Sequence, residues 1–345
     1  MRSSVLNPVR ADAWWEHKLS PILATMYATA GLVQAPFASL FPAIALALAA
    51  LTVCASYVSV LNDLTDADDD RASGKPNRWM GASRVYPLVL LAACVAGGAG
   101  FLTLWRADTL VSGAYLCSWL AFTLYSVPPC RLKGRGIWGV LAEACGAHLF
   151  PTLFAVFLLY RWSGTAGPAR WTIAVALWAI AGGIRGILRH QIEDAASDAT
   201  IGLRTFAALH GTAAAQRLGL LAFVLELAGF IAMLWISRGA LASLFLVLYG
   251  GFAVIRWRRL RIRLSVVQPR QSSRTAMEEF YIVLYPLAYL LAASWRQPFA
   301  LLVLSCHAVL FSRQAVYMAH DVVTIARISA AGRGIGKALQ GKTRS

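Results

Sequence analysis

Asn62-Asp63-Leu64-Thr65-Asp66-Ala67-Asp68-Asp69-Asp70 follows the apolar run Ala43 to Leu61 and holds five of the chain's sixteen acidic residues. If the apolar helix continues through this stretch, Asp63, Asp66 and Asp70 stand at i, i+3 and i+7. At about 100° per residue they share one face within roughly 60°, Asn62 borders that face, and Asp68 and Asp69 point elsewhere. Three carboxylates stacked on one face repel each other unless a cation neutralises them. Hard oxygen ligands with room for water and phosphate suit Mg²⁺ best. The alternative reading is a solvated acidic loop at the end of a membrane helix.

A second acidic cluster tips that choice. His190-Gln191-Ile192-Glu193-Asp194-Ala195-Ala196-Ser197-Asp198 follows the apolar run Trp171 to Leu188. Asp194 and Asp198 are spaced i, i+4, and His190 and Gln191 fall on the same helical face. Two separate apolar helices therefore end in carboxylate sets. Two facing sets can hold two or more Mg²⁺ ions, and such ions clamp a diphosphate.

The composition excludes an ordinary soluble domain. The 345 residues are 58% hydrophobic and 14% charged, against about 25% charged in globular proteins. Twelve Trp and eleven Tyr suit aromatic belts at membrane interfaces, and Trp14 and Trp15 are expected at such an interface. The net charge of +16 does not point to nucleic acid, because the Lys and Arg residues sit in short loops between apolar runs. The cysteines at 54, 94, 117, 130, 145 and 306 form no CxxC, so neither a zinc site nor a disulfide framework is indicated. Asp12, Glu16 and Lys18 interrupt the N-terminus before any apolar core, which makes it a poor signal peptide.

Ten apolar segments near bilayer length follow, at about 20–36, 42–61, 86–104, 109–127, 137–160, 171–189, 216–236, 239–255, 279–295 and 298–318. The last contains Ser305, His307 and Arg313 and either spans or lies along the interface. Gly97, Gly98 and Gly100 are small residues that allow close helix contact. With the N-terminus in the cytoplasm, the tails and inner loops carry 26 of the 32 Lys and Arg residues, and five fall in outer loops. Both acidic clusters then face the cytoplasm. The arginine-rich run Arg256 to Arg274 reads as a topology anchor that also touches anionic lipid. The expected organisation is a cytoplasmic tail 1–19, one membrane domain 20–318 and a basic tail 319–345.

A third inner loop reads Tyr125-Ser126-Val127-Pro128-Pro129-Cys130-Arg131-Leu132-Lys133-Gly134-Arg135. Pro128-Pro129 stops the helix, and Arg131, Lys133 and Arg135 line a short turn beyond it. Phosphate oxygens left uncovered by Mg²⁺ want Arg or Lys; Arg135 reads as a topology anchor. Each acidic cluster is also followed by its own cations: Arg71, Lys75 and Arg78 after the first, Arg204 after the second.

These three stretches resemble the UbiA superfamily of intramembrane prenyltransferases. Asn62-Asp63-x-x-Asp66-x-x-x-Asp70 is similar to its NDxxDxxxD motif. Asp194-x-x-x-Asp198, with Gly202 and Thr205 following, is similar to its second DxxxD motif, and Tyr125 to Lys133 to its YSxPPxRLK turn. They occur in family order over about residues 20–295. The resemblance implies an all-α fold of nine helices, or ten here if the last segment spans, around a central cavity. It also implies a polyprenyl diphosphate donor and Mg²⁺ held by Asp63, Asp66, Asp70, Asp194 and Asp198. In that family the allylic diphosphate ionises and the cation passes to an acceptor. By resemblance, Asn62 is the motif's polar lead residue, Arg78, Arg131 and Lys133 contact diphosphate, and Tyr125 stands near the reacting carbon; Lys75, Gln191 and Arg204, from their place beside the acidic clusters, are read as further substrate contacts. The family's Arg-Pro after the first motif is here Arg78-Trp79, and His190-Gln191-Ile192-Glu193 before the second motif is not its commonest form.

Glu143, His148, Arg185, Glu226 and His307 lie within apolar segments, where ionisable groups are functional candidates. Arg185 is expected to snorkel. Glu143 and His148 either orient an acceptor or take a proton, or form a hydrogen-bonded core pair. Glu226 and His307 read as structural. The sequence thus leads us to expect an integral enzyme of a bacterial inner membrane, its active site facing the cytoplasm. It would transfer a prenyl group to an unidentified, aromatic or quinone-precursor acceptor. A terpene cyclase on the same scaffold is the alternative, and a cation-coupled transporter a more distant one, since its acids would sit at mid-membrane.

Overall fold

Long apolar runs become helices because a bilayer offers their backbone no hydrogen-bond partner, so each amide must be satisfied within its own segment. The protein's structure, a computed structural model, describes residues 9–79, 83, 85–268 and 273–342, with side chains described through 330. Residues 1–8 and 343–345 of the expected tails, and Arg84 and Arg270 of the basic loops, lie outside the described residues.

All ten apolar segments are helical. A short helix α1 (Ala11–Trp14) passes through a π turn, Trp15–Leu19, into α2 (Ser20–Leu32). Then come α3 (Phe37–Thr65), α4 (Ala67–Ser73), α5 (Val85–Leu104), α6 (Thr109–Ser126), α7 (Ile137–Ser163) and α8 (Ala169–Thr200). After α9 (Phe206–His210) come α10 (Thr212–Ser237), α11 (Ala240–Leu260), α12 (Phe280–Ser294), α13 (Phe299–Leu310) and α14 (Arg313–Lys342). The expected all-α fold gains one exception: strands β1 (Arg263–Ser265) and β2 (Ser273–Thr275) pair in parallel, Leu264 opposite Arg274.

By length and composition six of these helices can cross a membrane: α3, α5, α7, α8, α10 and α11. A seventh is added if α13 and α14 are taken together, against the nine or ten expected. The other apolar helices fall below that length and composition for physical reasons. α2 starts only after the charged π turn, and polar residues such as Ser112, Ser118 and Thr123 dilute α6. α12 is entered through another π turn, Phe280–Leu284. The segment 298–318 is not straight: α13 ends at Leu310 and α14 departs at 83°. The Glu16 carboxylate holds that bend by accepting from the first amides of α14, Arg313 at 2.7 Å and Gln314 at 2.9 Å, groups that a helix start leaves unsatisfied.

The core joins α2, α3, α7, α8 and α12, while Val89, Val247 and Val309 stay exposed on the outer surface, as a lipid-facing wall requires. α8 and α10 form the most extensive helix pair. Gly229 makes their approach possible, since a Cβ there would stand 2.7 Å from the backbone nitrogen of Trp178. Gly98 likewise admits the Trp119 ring, whereas Gly100 faces open space. Two expectations are corrected by this packing. Trp14 is buried, its indole donating to Val9 O at 2.7 Å, because the π turn swings the N-terminal segment inward. Arg185 does not snorkel: it is buried against Glu226 of α10, with contacts of 2.5 and 2.9 Å. The closely packed helix presents a carboxylate nearer than solvent. His307 is structural as expected, bridged by Ser20 and Tyr27.

Candidate active site

Helix α3 does not run through the first acidic stretch. It ends at Thr65, and Asp66 (φ −98°, ψ 0°) ends α3 and begins α4. Four aspartates within five residues repel along a straight helix, and Asp favours helix starts over interiors. The break redirects the side chains. Asp66 and Asp70 still face the cavity at this end of the bundle, and Asp69 joins them, contrary to the single-helix expectation. Asp68 points out and pairs with Arg71 at 3.1 Å. Asp63 is buried beside the cavity rather than lining it, and Arg10 of the N-terminal segment holds it at 3.1 Å.

The second cluster comes from the end of α8. Asp194, Asp198 and Gln191 line the same cavity of about 460 Å³ as Asn62, Asp66, Asp69 and Asp70. Asp198 accepts from Thr205 at 3.2 Å, and Gln191 accepts from the amide of Ala207 at 3.2 Å. Lys75 crosses from the first motif's loop to the second, 3.0 Å from Asp194 and 3.9 Å from Asp198. Gly74, at φ +69°, makes the turn that aims it. The Pro128-Pro129 turn supplies Lys133, paired with Asp66 and 3.5 Å from Asp69, and Arg131, 2.7 Å from Asp69. Asn77 ties the first motif's loop together, donating to Asp70 at 2.8 Å and to the Asp63 carbonyl at 2.8 Å.

Of the residues expected from sequence, Asn62, Asp66, Asp70, Lys75, Tyr125, Lys133, Gln191, Asp194 and Asp198 share this cavity. Arg131 reaches its edge through Asp69, Arg78 lies 3.6 Å from Asp12, and Arg204 is exposed. Sequence reasoning missed Asp69, Asn77, Arg10 and Lys18. Deeper in, Leu51, Val58, Phe122 and Ile187 make the cavity apolar.

A second chamber of about 290 Å³ adjoins it, lined by Lys18, His148, Trp178, Arg185, Arg189 and Tyr281 among others. Ala13, Lys18, Ile22 and His190 line both chambers. At its rim, burial pushes the Glu278 carboxyl up, but hydrogen bonding and charge from His17, 2.7 Å away, with Thr275 and Arg189, more than offset this and hold it at about 2.

Among the described residues no three His, Cys, Asp or Glu groups stand close enough together to hold one ion, because the carboxylates are drawn to Arg10, Lys75, Arg131 and Lys133 instead. In chemistry the set does suit a hard divalent cation: five aspartates and an asparagine line one cavity. The arrangement of apolar helices, a cavity apolar below, and acids interleaved with cations above defines a polytopic helical protein with a mixed-charge polar site over an apolar cavity. The profile of the UbiA prenyltransferase family matches residues 19–277, and the chain belongs to that family. Solved structures agree on the fold. A UbiA homologue from Archaeoglobus fulgidus bound to GPP and Mg²⁺ is 17% identical, with a TM-score of 0.55 over 94% of this chain and 100% of that one. The homologue bound to DMAPP and Mg²⁺ is 18% identical, with a TM-score of 0.51 over 94% and 99%. Among curated protein sequences none matches.

Proposed function

We propose that the protein transfers the prenyl group of a polyprenyl diphosphate to an acceptor within the membrane, with Mg²⁺ as its cofactor. The observation that carries this reading is the shared cavity: two carboxylate clusters from separate helices, bridged by Lys75, above an apolar chamber. The A. fulgidus homologue, bound to DMAPP or GPP with Mg²⁺, supports it. Asp66, Asp69, Asp70, Asp194 and Asp198 would hold the ions, and Asp63 would help to orient that wall from behind. When bound, Mg²⁺ supplies positive charge to the departing diphosphate.

The rest falls to the chain's own residues. Lys75, Lys133 and Arg131 are now paired with carboxylates; released from them, they bind the diphosphate oxygens at the polar end. The prenyl chain lies against Leu51, Val58 and Phe122, which keep water from the allylic cation. Tyr125 lines the same wall and presents a ring whose face favours positive charge. Residues 20–318 would form the catalytic domain in a cell membrane with the acidic end toward the cytoplasm, and N-terminal residues from Arg10 onward complete the cavity mouth. The test is mass spectrometry of lipids from cells with and without the gene. A prenylated lipid found only with the gene supports the reading, and identical lipid profiles refute it.

A further inference from the structure

Three π turns line the second chamber, and the first of them also reaches the first chamber through Lys18. Trp15–Leu19 carries Lys18, Cys145–Leu149 carries His148, and Phe280–Leu284 carries Tyr281. Such turns displace a side chain from its helical register and recur at functional sites. Lys18 Nζ lies 3.3 Å from Glu143 Oε1 and donates to His148 Nε2 at 2.6 Å. Glu143 lines the cavity that holds Tyr125 and the aspartates, and its other oxygen, Oε2, is buried without a hydrogen-bond partner.

The Arg185–Glu226 pair shows what a purely structural pair looks like here: both carboxylate oxygens are engaged by one guanidinium. Leaving a buried acceptor unsatisfied costs stability. A carboxylate anchored on one oxygen, with the other closed off and unsatisfied beside a reaction cavity, gains a partner by turning that oxygen toward a hydrogen of something that enters.

We propose, resting on the prenyl-transfer reading, that Glu143 is the catalytic residue that receives the acceptor's proton, and that Lys18 is the positioning residue that holds it. The donor's C1–O bond breaks and its electron pair leaves with diphosphate. The acceptor's O–H oxygen or ring C–H carbon supplies the pair for the new bond to C1. Its hydrogen leaves as a proton to Glu143 Oε2, giving a neutral carboxyl. The acceptor class follows: a molecule that attacks through a hydroxyl or an electron-rich ring C–H, and not through a phosphate oxygen that carries no proton.

Two measurements on the full chain with Mg²⁺ separate this role from donor binding. Geranyl diphosphate labelled with ¹⁸O at the bridging position reports reversible C1–O cleavage by scrambling, which needs no acceptor proton transfer. Radiolabelled geranyl diphosphate added to native membranes, which bring their own acceptor, reports transfer into diphosphate-free lipid. Glu143→Gln should keep scrambling within about twofold of the unmodified protein and lose transfer by about 10²–10⁴-fold, the usual contribution of a positioned base. Because that variant leaves Lys18 without its carboxylate, the double variant Lys18→Met, Glu143→Gln removes both charges and should show the same split. Transfer within tenfold of the unmodified level in either variant overturns the proposal. So does scrambling lost together with transfer in both, which would place Glu143 on the donor side or in the fold. If the unmodified protein neither scrambles nor transfers, the prenyl-transfer reading itself fails.

Discussion

Lys75→Met separates the two jobs that the structure gives Lys75. The side chain reaches Asp194 at 3.0 Å and Asp198 at 3.9 Å, but its exposure is 34% and that of Asp194 51%. An ion pair so open to solvent contributes about 0.2–1 kcal/mol. Methionine keeps most of the apolar stem, so the thermal midpoint should fall by no more than about 3 °C. A charge-assisted contact to a diphosphate is worth about 1.5–3 kcal/mol, or roughly ten- to a hundredfold in rate or affinity. The assay is label transfer from geranyl diphosphate in native membranes at varied donor concentration, beside a thermal-shift measurement on purified protein. A tenfold or larger rise in donor KM is expected if the contact is equally strong before and during departure, and a matching fall in kcat if it tightens as diphosphate leaves. A midpoint lowered by about 10 °C would make Lys75 a structural tie between α8 and the first motif's loop. Unchanged kinetics with unchanged stability would remove it from the site.

Asp66→Ala and Asp198→Ala should each abolish label transfer with the fold retained, because Lys133 keeps Asp69 at 3.5 Å and Lys75 keeps Asp194; activity near the unmodified level at low Mg²⁺ would show that the residue is not a ligand. Asp69→Asn should cost at least tenfold in transfer while Asp68→Asn costs less than twofold, and equal effects would contradict the break in the helix at Asp66. Mg²⁺ and inorganic diphosphate should stabilise the purified protein far more together than separately; thermal shifts that merely add would argue against a shared site. Arg185→Met should destabilise by about 3–5 kcal/mol, since it strands a buried Glu226, whereas Arg185→Met with Glu226→Leu should recover most of that loss; denaturation midpoints in detergent decide, and no recovery would mean that the pair does more than neutralise itself.

The acids of the motifs were legible because their spacing and their place after apolar runs carry the information locally. What the sequence hid depended on the third dimension. Asp69 points outward on a continuous helix and inward once α3 stops at Thr65, and nothing in the spacing marks that stop. Arg10 and Lys18 sit in a polar stretch that reads as a solvated tail, yet a π turn folds them against Asp63 and Glu143. Arg185 looked able to reach the interface because its partner, Glu226, lies 41 residues on and packs beside it only after α8 and α10 close. Length and composition alone support fewer spans than the expected nine or ten for a related reason: hydropathy marks apolar segments, but α2, α12 and α13 are shortened by π turns and a bend set by side chains from elsewhere.

The cations at the cavity come from three separate stretches: Arg10 from the N-terminal segment, Lys75 from the first motif's loop, and Arg131 and Lys133 from the proline turn, with Lys18 facing Glu143 beyond them. Without a ligand they neutralise acids that would otherwise repel one another at close range. That arrangement fixes how a ligand can enter. A diphosphate alone would draw the lysines and arginines away and leave the aspartates unpaired against its own negative charge. A divalent cation alone would take the aspartates and leave Lys133, 7% exposed, a buried charge without a partner, which costs several kcal/mol. Only the two together let every charge exchange one partner for another, so the resident pairs convert separate binding events into one. The coupling expected in the thermal-shift measurement is thus a consequence of the pairing, and weakening a pair should weaken the coupling before it weakens the fold.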